Sequence, residues 1–210
     1  MNNDNSSNSA CFGRARCICI SYYEKIDPTN SCINESLPNG WAVSKLGTIG
    51  LWQSGSTPSR NNSAFYGGDI PWLKTGDLND GMIKHIPESI TKLALQKTSV
   101  KLNPAGSILI AMYGATIGKM GILTFPATTN QACCACSEFS GVDPLYLFYF
   151  LLQHRNKFID IGSGGAQPNI SKEKIVNTTI PLPPLKEQHR IVTAIENSFA
   201  YLNEIVENLN

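Results

Sequence analysis

The stretch that decides the fold is Ile180–Val192, IPLPPLKEQHRIV, close to the C-terminal end of the 210-residue chain. Pro181, Pro183 and Pro184 fix φ and remove backbone donors, so this piece is neither an interior helix nor a central strand. It predicts an extended segment over Ile180–Pro184 that packs on the domain before it and hands over to a helix. From Lys186 onward no Gly or Pro interrupts the chain, and Val192, Ile195, Phe199, Leu202, Val206 and Leu209 recur at intervals of 3, 4, 3, 4 and 3. That is the spacing of a and d positions in a coiled coil. It predicts a helix of roughly 23 residues, about 35 Å long, leaving the domain with one narrow apolar seam. Two covers fit such a seam, the core of its own domain or another helix. Full burial of each apolar side chain is worth roughly 1.5–3 kcal/mol, so the second cover predicts that the isolated chain dimerises or recruits a partner.

Upstream of the helix the texture is different. Residues 1–36 open on an Asn/Ser-rich run, MNNDNSSNSA, which buries too little surface to order itself and is expected to be a weakly ordered tail. From Trp41 short apolar runs alternate with Gly, Pro, Asn and Asp. Strands are expected at Trp41–Lys45, Ile70–Leu73, Ser107–Met112, Lys119–Leu123 and Ala132–Ser137, with turns at Pro58–Asn62, Gly67–Asp69 and Asn79–Gly81. Pro144–Lys157 reads as a helix with Asp143 as N-cap, Pro144 at its first position, and Leu145, Phe148, Tyr149 and Leu152 on its apolar face. The fold class is therefore α+β, a mixed-sheet domain over 37–184 with a few helices, followed by a long coiled-coil-type helix over 185–210.

Composition narrows the function classes. No run of 18 apolar residues exists, and the N-terminus has no basic stretch leading into a long apolar one, so a membrane span and secretion are not expected and a cytoplasmic location is. Residues 36–180 carry twelve Lys and Arg against eight Asp and Glu, net +4, whereas 181–210 carry two against four, net −2. A mildly basic domain fits a module that reads bases while a partner supplies part of the grip on the phosphates.

Seven cysteines, Cys11, Cys17, Cys19, Cys32, Cys133, Cys134 and Cys136, raise the question of a metal. Zinc needs paired knuckles at a suitable separation. Cys133 and Cys136 form one CxxC inside an apolar strand-like run, where free Cys behaves as a small buried hydrophobe, and Cys17 and Cys19 have the wrong spacing. Free thiols and no metal are expected. Chemistry is equally thin elsewhere, for His85, His154 and His189 are scattered and no phosphate loop or adenine-methyltransferase quartet is present. Gly162–Ala166 lacks the strand–loop–helix setting of a dinucleotide site. The chain reads as non-catalytic and without a cofactor.

Eight pieces of the chain, taken in order, resemble one family. They are LPNGWAVSKLGTI (Leu37–Ile49), GSTPSR (Gly55–Arg60), YGGDIPWLKTGDL (Tyr66–Leu78), NPAGSILIAM (Asn103–Met112), IGKMGI (Ile117–Ile122), NQA (Asn130–Ala132), GGAQPNIS (Gly164–Ser171) and the proline segment itself, with Glu187, Gln188, Arg190 and Ile191. Together they resemble the target-recognition domain and spacer helix of type I restriction-modification specificity subunits. The likeness runs from residue 37 to 192 and leaves 1–36 uncovered. It implies a non-catalytic subunit that reads one half of a bipartite target in double-stranded DNA. It also implies partners: methyltransferase subunits for adenine, a restriction subunit reached through the complex, and a copy of itself or a second specificity half. The rival from another class is a protein–protein adaptor that uses the helix seam without touching DNA. A stand-alone hydrolase or methyltransferase lacks its motifs.

Reading bases calls for side chains that donate and accept, Arg or Lys for guanine, Asn or Gln for adenine, Ser or Thr for either. Four polar loops carry them. Ser54–Ser63 offers Ser56, Thr57, Ser59, Arg60 and Asn61; Lys74–Asp80 offers Lys74 and Thr75; Tyr113–Lys119 offers Tyr113, Thr116 and Lys119; Gly162–Asn169 offers Gln167 and Asn169. Arg60 is expected to contact a base, and Lys74 and Lys119 to contact phosphates. Trp72 and Phe65 are expected in the core.

Overall fold

The computed structural model describes residues 37–162 and 169–209. Its centre is a five-stranded sheet in the order β2 (Leu51–Ser54), β9 (Cys133–Ser137), β6 (Ile108–Ala111), β7 (Met120–Leu123), β4 (Gly81–Ile83). β6, β7 and β9 are buried along their whole length. Side chains alternate across a strand, and here both faces have cover. Ile108, Ile110, Cys134 and Cys136 point into a large core with α2 (Pro144–Gln153), while Leu109, Ala111, Cys133 and Ala135 meet Leu73, Leu78 and Ile83 on the other side. A sheet covered twice reads as unbroken apolar runs, which is why these three strands stood out in the sequence.

A smaller sheet holds β3 (Tyr66–Leu73) between β5 (Ser89–Ile90) and β8 (Thr128–Thr129). β3 runs parallel to β8, and β4 parallel to β7, whereas the other pairs are antiparallel, so the architecture is mixed α+β as expected. The turn expected at Gly67–Asp69 lies inside β3 as an irregularity of register between Tyr66 and Ile70. Gly67 takes φ +77°, and a Cβ on Gly68 would stand 2.6 Å from the carbonyl oxygen of Ile90, so the strand bends there without ending.

The helix over Pro144–Lys157 is two helices, α2 and α3 (Arg155–Gly162), divided at His154. Asp143 caps α2 by accepting from the backbone N–H groups of Leu145 and Tyr146, and Pro144 stands at the first turn. At His154 the ring stacks on Phe150, 4.0 Å between centroids, and Nδ1 lies 3.1 Å from the Phe150 carbonyl, which also accepts from the His154 backbone N–H at 3.0 Å. The apolar face also differs from the expected one. Tyr146, Leu147, Phe148, Phe150 and Leu151 are buried, with Leu145, Tyr149 and Leu152 only partly so.

The proline segment forms β10 (Thr179–Leu182), antiparallel to β1 (Ala42–Lys45) with Ala42 opposite Leu182 and Lys45 opposite Thr179. A two-stranded ribbon leaves one edge of each strand without a ladder, so Pro181 is accommodated. Besides the short helices α1 (Lys92–Lys97) and α4 (Lys172–Val176), the long helix α5 (Leu185–Asn208) follows β10 at once. Gln188 and Val192 are its buried residues, and Ile195 is half-buried. Phe199, 52 % exposed, still lies against α2, its ring 6.2 Å from that of Tyr149, and from Leu202 to Leu209, 80 % exposed, the seam is open. Val192 thus belongs to the core of its own domain, and the exposed part of the seam begins beyond it. Among the described residues no helix is long and apolar enough to cross a membrane.

Candidate nucleic-acid interface

Two groups of polar side chains gather the sequence-predicted positions. The first is built around Trp72, 2 % exposed, near the end of β3. Its indole Nε1 donates to the Ser56 carbonyl at 3.1 Å, and its backbone N–H donates to the Glu88 carbonyl at 2.8 Å. Tyr66 packs on it edge-on, with ring planes at 79°, and the Tyr66 hydroxyl donates to the Pro58 carbonyl at 2.5 Å. The loop after β2 is therefore pinned twice from below. It is pinned again at its start, where Gly55 and Ser56 donate to the carbonyls of Cys133 and Thr129, each at 2.9 Å. A Cβ on Gly55 would stand 2.2 Å from the Asn130 carbonyl oxygen, so only glycine lets the two chains approach so closely.

On this platform lies Arg60. Its Cζ is 4.5 Å from the Tyr66 ring centroid and 4.8 Å from that of Trp72, and its Nη2 donates to Glu88 Oε2 at 3.0 Å. Lys74 Nζ binds the other oxygen of the same carboxylate. The Lys74 hydrogen bond first, and the Arg60 bond beside it, hold the Glu88 carboxyl below the usual carboxylate range. All three side chains remain solvent-accessible, so these ion pairs add little to folding stability; what they set is where the charges sit. Further along the loop Ser56 and Ser99 hydroxyls are 2.8 Å apart, and the Thr57 hydroxyl donates to Gln131 Oε1. Ser59 and Asn61 are exposed at the loop tip, closed by the Asn62 N–H donating to the Ser59 carbonyl at 3.2 Å.

The second group surrounds the loop between β6 and β7. Gly114 and Gly118 have φ of +80° and +76° and turn it. Arg155, at the start of α3, donates from Nε to the Gly118 carbonyl at 3.0 Å and from Nη2 to Asp80 Oδ1 at 2.5 Å; the same Asp80 oxygen accepts from the Met120 N–H. Tyr113 forms an isolated bridge with Asn169, and burial raises its phenol above the ordinary range. Thr116 accepts through its carbonyl from the Lys119 N–H, and the Lys119 side chain is exposed. Thr75, half-buried, sits in the short turn Thr75–Asp77, whose Asp77 accepts from the Lys74 N–H at 2.8 Å. That segment, Lys74–Asp80, links the two groups. Arg60 and Lys74 are thus brought to one carboxylate, Lys119 belongs to the other group, and Gln167 lies outside the described residues.

Sequence reasoning missed Glu88, Gln131, Asp80 and Arg155. Each is a single polar residue in a loop or at a helix start, with no motif to mark it. Cys11, Cys17, Cys19 and Cys32 lie outside the described residues. Cys133 and Cys136 lie on opposite faces of β9, burial pushes the Cys134 thiol up to about 12 and the other two higher still, and no cluster able to hold a metal exists among the described residues.

The family profile described as the type I restriction modification DNA specificity domain matches residues 38–210. The chain belongs to that family. Among curated specificity subunits it is similar to that of the type I restriction enzyme MjaIX of Methanocaldococcus jannaschii, 32 % identical over 177 residues, covering 82 % of this chain and 40 % of that protein. It is also similar to the EcoR124I/EcoR124II specificity subunit of Escherichia coli, 30 % identical over 170 residues, covering 78 % of this chain and 42 % of that protein. The crystal structure of the HsdS subunit from Thermoanaerobacter tengcongensis shares its fold, with a TM-score of 0.69 at 21 % identity, covering 85 % of this chain and 42 % of that one. This specificity-domain chain therefore spans less than half the length of the relatives it matches, and none of them supports the adaptor reading.

Proposed function

We infer that this specificity-domain chain reads one half of a bipartite target in double-stranded DNA and lends that preference to partner methyltransferase subunits and, through the assembled complex, to a restriction subunit. Adenine-N6 methylation and ATP-dependent cleavage belong to those partners, and the chain itself is non-catalytic and cytoplasmic. Residues 37–184 form the recognition domain and 185–210 the spacer helix, whose open seam takes a helix from a second copy or from a second specificity half. The observation that carries the reading is the exposed Arg60 guanidinium held on Tyr66 and Trp72 above a loop pinned at Ser56 and Pro58, inside a chain matched from 38 to 210 by a DNA specificity family. Arginine at a rigid loop tip is the side chain that reads guanine bidentately. Methylome sequencing of a host that supplies the modification subunit, with and without this gene, tests it: a methylated motif should appear only with the gene. An unchanged methylome, with both subunits expressed and soluble, refutes the reading.

A further inference from the structure

The corner between Tyr66 and Trp72 restrains where the Arg60 guanidinium sits, but two rings at 79° leave its rotation open. Direction comes from Glu88. Oε2 takes one N–H of Nη2 at 3.0 Å, and Oε1 is occupied by Lys74, so the carboxylate is held at both oxygens. Its backbone is fixed as well, because the Glu88 carbonyl accepts from the Trp72 N–H and the next residue, Ser89, stands opposite Pro71 in the ladder between β3 and β5. Trp72 therefore supports the arginine with its ring and the acid with its backbone. One carboxylate shared by two cations also leaves the cluster at net +1 in place of +2, which weakens attraction to any phosphate backbone, whatever its sequence.

We propose that Glu88 is a specificity-determining positioning residue: it aims the remaining Arg60 N–H groups outward as a fork for a guanine edge and lowers the affinity of this face for DNA of any sequence. The proposal rests on the DNA-reading function inferred above. Backbone contact raises affinity without raising selectivity, and base contact raises selectivity. An acid that neutralises charge while orienting a base-reading side chain shifts the balance from the first to the second.

The test uses the full chain and duplexes with a randomised core. The sequences enriched by wild type define a preferred duplex, and a scrambled duplex of equal length serves as reference. Glu88→Gln keeps the shape and removes the charge. It should bind the scrambled duplex about fivefold to tenfold more tightly near 0.1 M salt and steepen the slope of log K against log salt by about 0.9, the release expected for one further phosphate neutralised. The ratio of preferred to scrambled affinity should fall about fivefold or more, the least that losing one bidentate contact to guanine costs. Glu88→Asp keeps the charge but shortens the reach, so its ratio should fall while its salt slope stays that of wild type. Folded Glu88→Gln with an unchanged slope and scrambled-duplex affinity overturns the proposal, even if preferred binding weakens, because that is the signature of a merely structural role. If Glu88→Gln fails to fold, an unchanged ratio for Glu88→Asp overturns it. A wild-type chain that enriches no sequence refutes the DNA-reading function itself; enrichment with a ratio indifferent to Glu88 refutes only this role.

Discussion

Gln188 is the side chain whose loss the domain should feel most. It is fully buried at the start of α5, its Oε1 accepts from the Asp143 N–H at 2.7 Å, and its Nε2 donates to the carbonyls of Pro183 at 2.8 Å and Gly141 at 3.1 Å. Three backbone groups from the cap of α2, the loop before it and the proline segment thus converge on one amide. Gln188→Leu keeps the volume nearly constant, which isolates the hydrogen bonds from any cavity. Gly141 is exposed and regains water. The Asp143 N–H and the buried Pro183 carbonyl do not, and an unsatisfied buried group costs about 1–3 kcal/mol, so the expected loss for the two is about 2–6 kcal/mol. For a chain of this size each kcal/mol lowers Tm by about 2–4 °C, giving a fall of about 4–24 °C in a calorimetric scan, with a matching shift of the urea midpoint. Gln188→Glu sharpens the test. It keeps the acceptor for Asp143 but turns an anion towards two carbonyls, an arrangement that raises the carboxyl's folded pKa above its unfolded value of about 4.3. The neutral acid is then the favoured folded form, so this variant's deficit should be largest at neutral pH and shrink as the pH falls through the folded pKa. A loss below about 0.5 kcal/mol for Gln188→Leu, inside the range of ordinary surface changes, would refute the account of how α5 is anchored.

Phe199→Asp with Leu202→Asp should abolish self-association or partner recruitment with at most a small fall in the melting temperature of the domain, since both residues are more than half exposed and what the domain gives up is the ring contact of Phe199 with Tyr149; a wild-type chain that sediments as a monomer at high micromolar concentration, alone and with the modification subunit, counts against the open seam as an interface. Arg60→Ala should cost about 1–3 kcal/mol on the preferred half-site and relax one base position, whereas Lys119→Ala should weaken all sequences alike and make the salt slope shallower by about 0.9; if neither variant alters binding or the methylated motif, these loops do not face DNA. Burial holds Cys133, Cys134 and Cys136 as neutral thiols, so alkylation at mildly alkaline pH followed by peptide mapping should leave all three unlabelled until denaturant is added, and labelling of the native protein would contradict the packing of β9.

What the sequence disclosed and what it concealed follow one physical rule. Features whose cause is local could be read. The Asp143 cap, the proline-fixed extension into β10 and the uninterrupted helix after it each follow from the chemistry of a few adjacent residues. β6, β7 and β9 could be read because burial on both faces makes them continuously apolar. β2 could not, for LWQS becomes a strand only by pairing with β9, more than eighty positions downstream. β5 and β8 are two residues each and exist only as neighbours of β3. The division at His154 carries no Gly or Pro to announce it, and periodicity does not report it. At the candidate interface the loops were legible from their polar residues, and Arg60 from the donors it brings. Glu88 was not, because an acid twenty-eight positions from Arg60 acquires meaning only when the fold sets them 3.0 Å apart.

The ribbon of β1 and β10 ties the two ends of the domain together like the drawn neck of a bag. Adjacent strands lie about 4.8 Å apart, so residues 46–178 hang from a fixed base as one closed contour, and α5 springs from that base within three residues of β10. Changes in loops far from this base leave the neck the same width, while the bearing of the helix is set jointly by the neck and by the Gln188 bonds to Asp143 and Gly141. Substitutions at Arg60, Glu88 or Lys119 therefore leave the take-off of α5 in place, because none of them lies in the neck or among the groups that Gln188 holds.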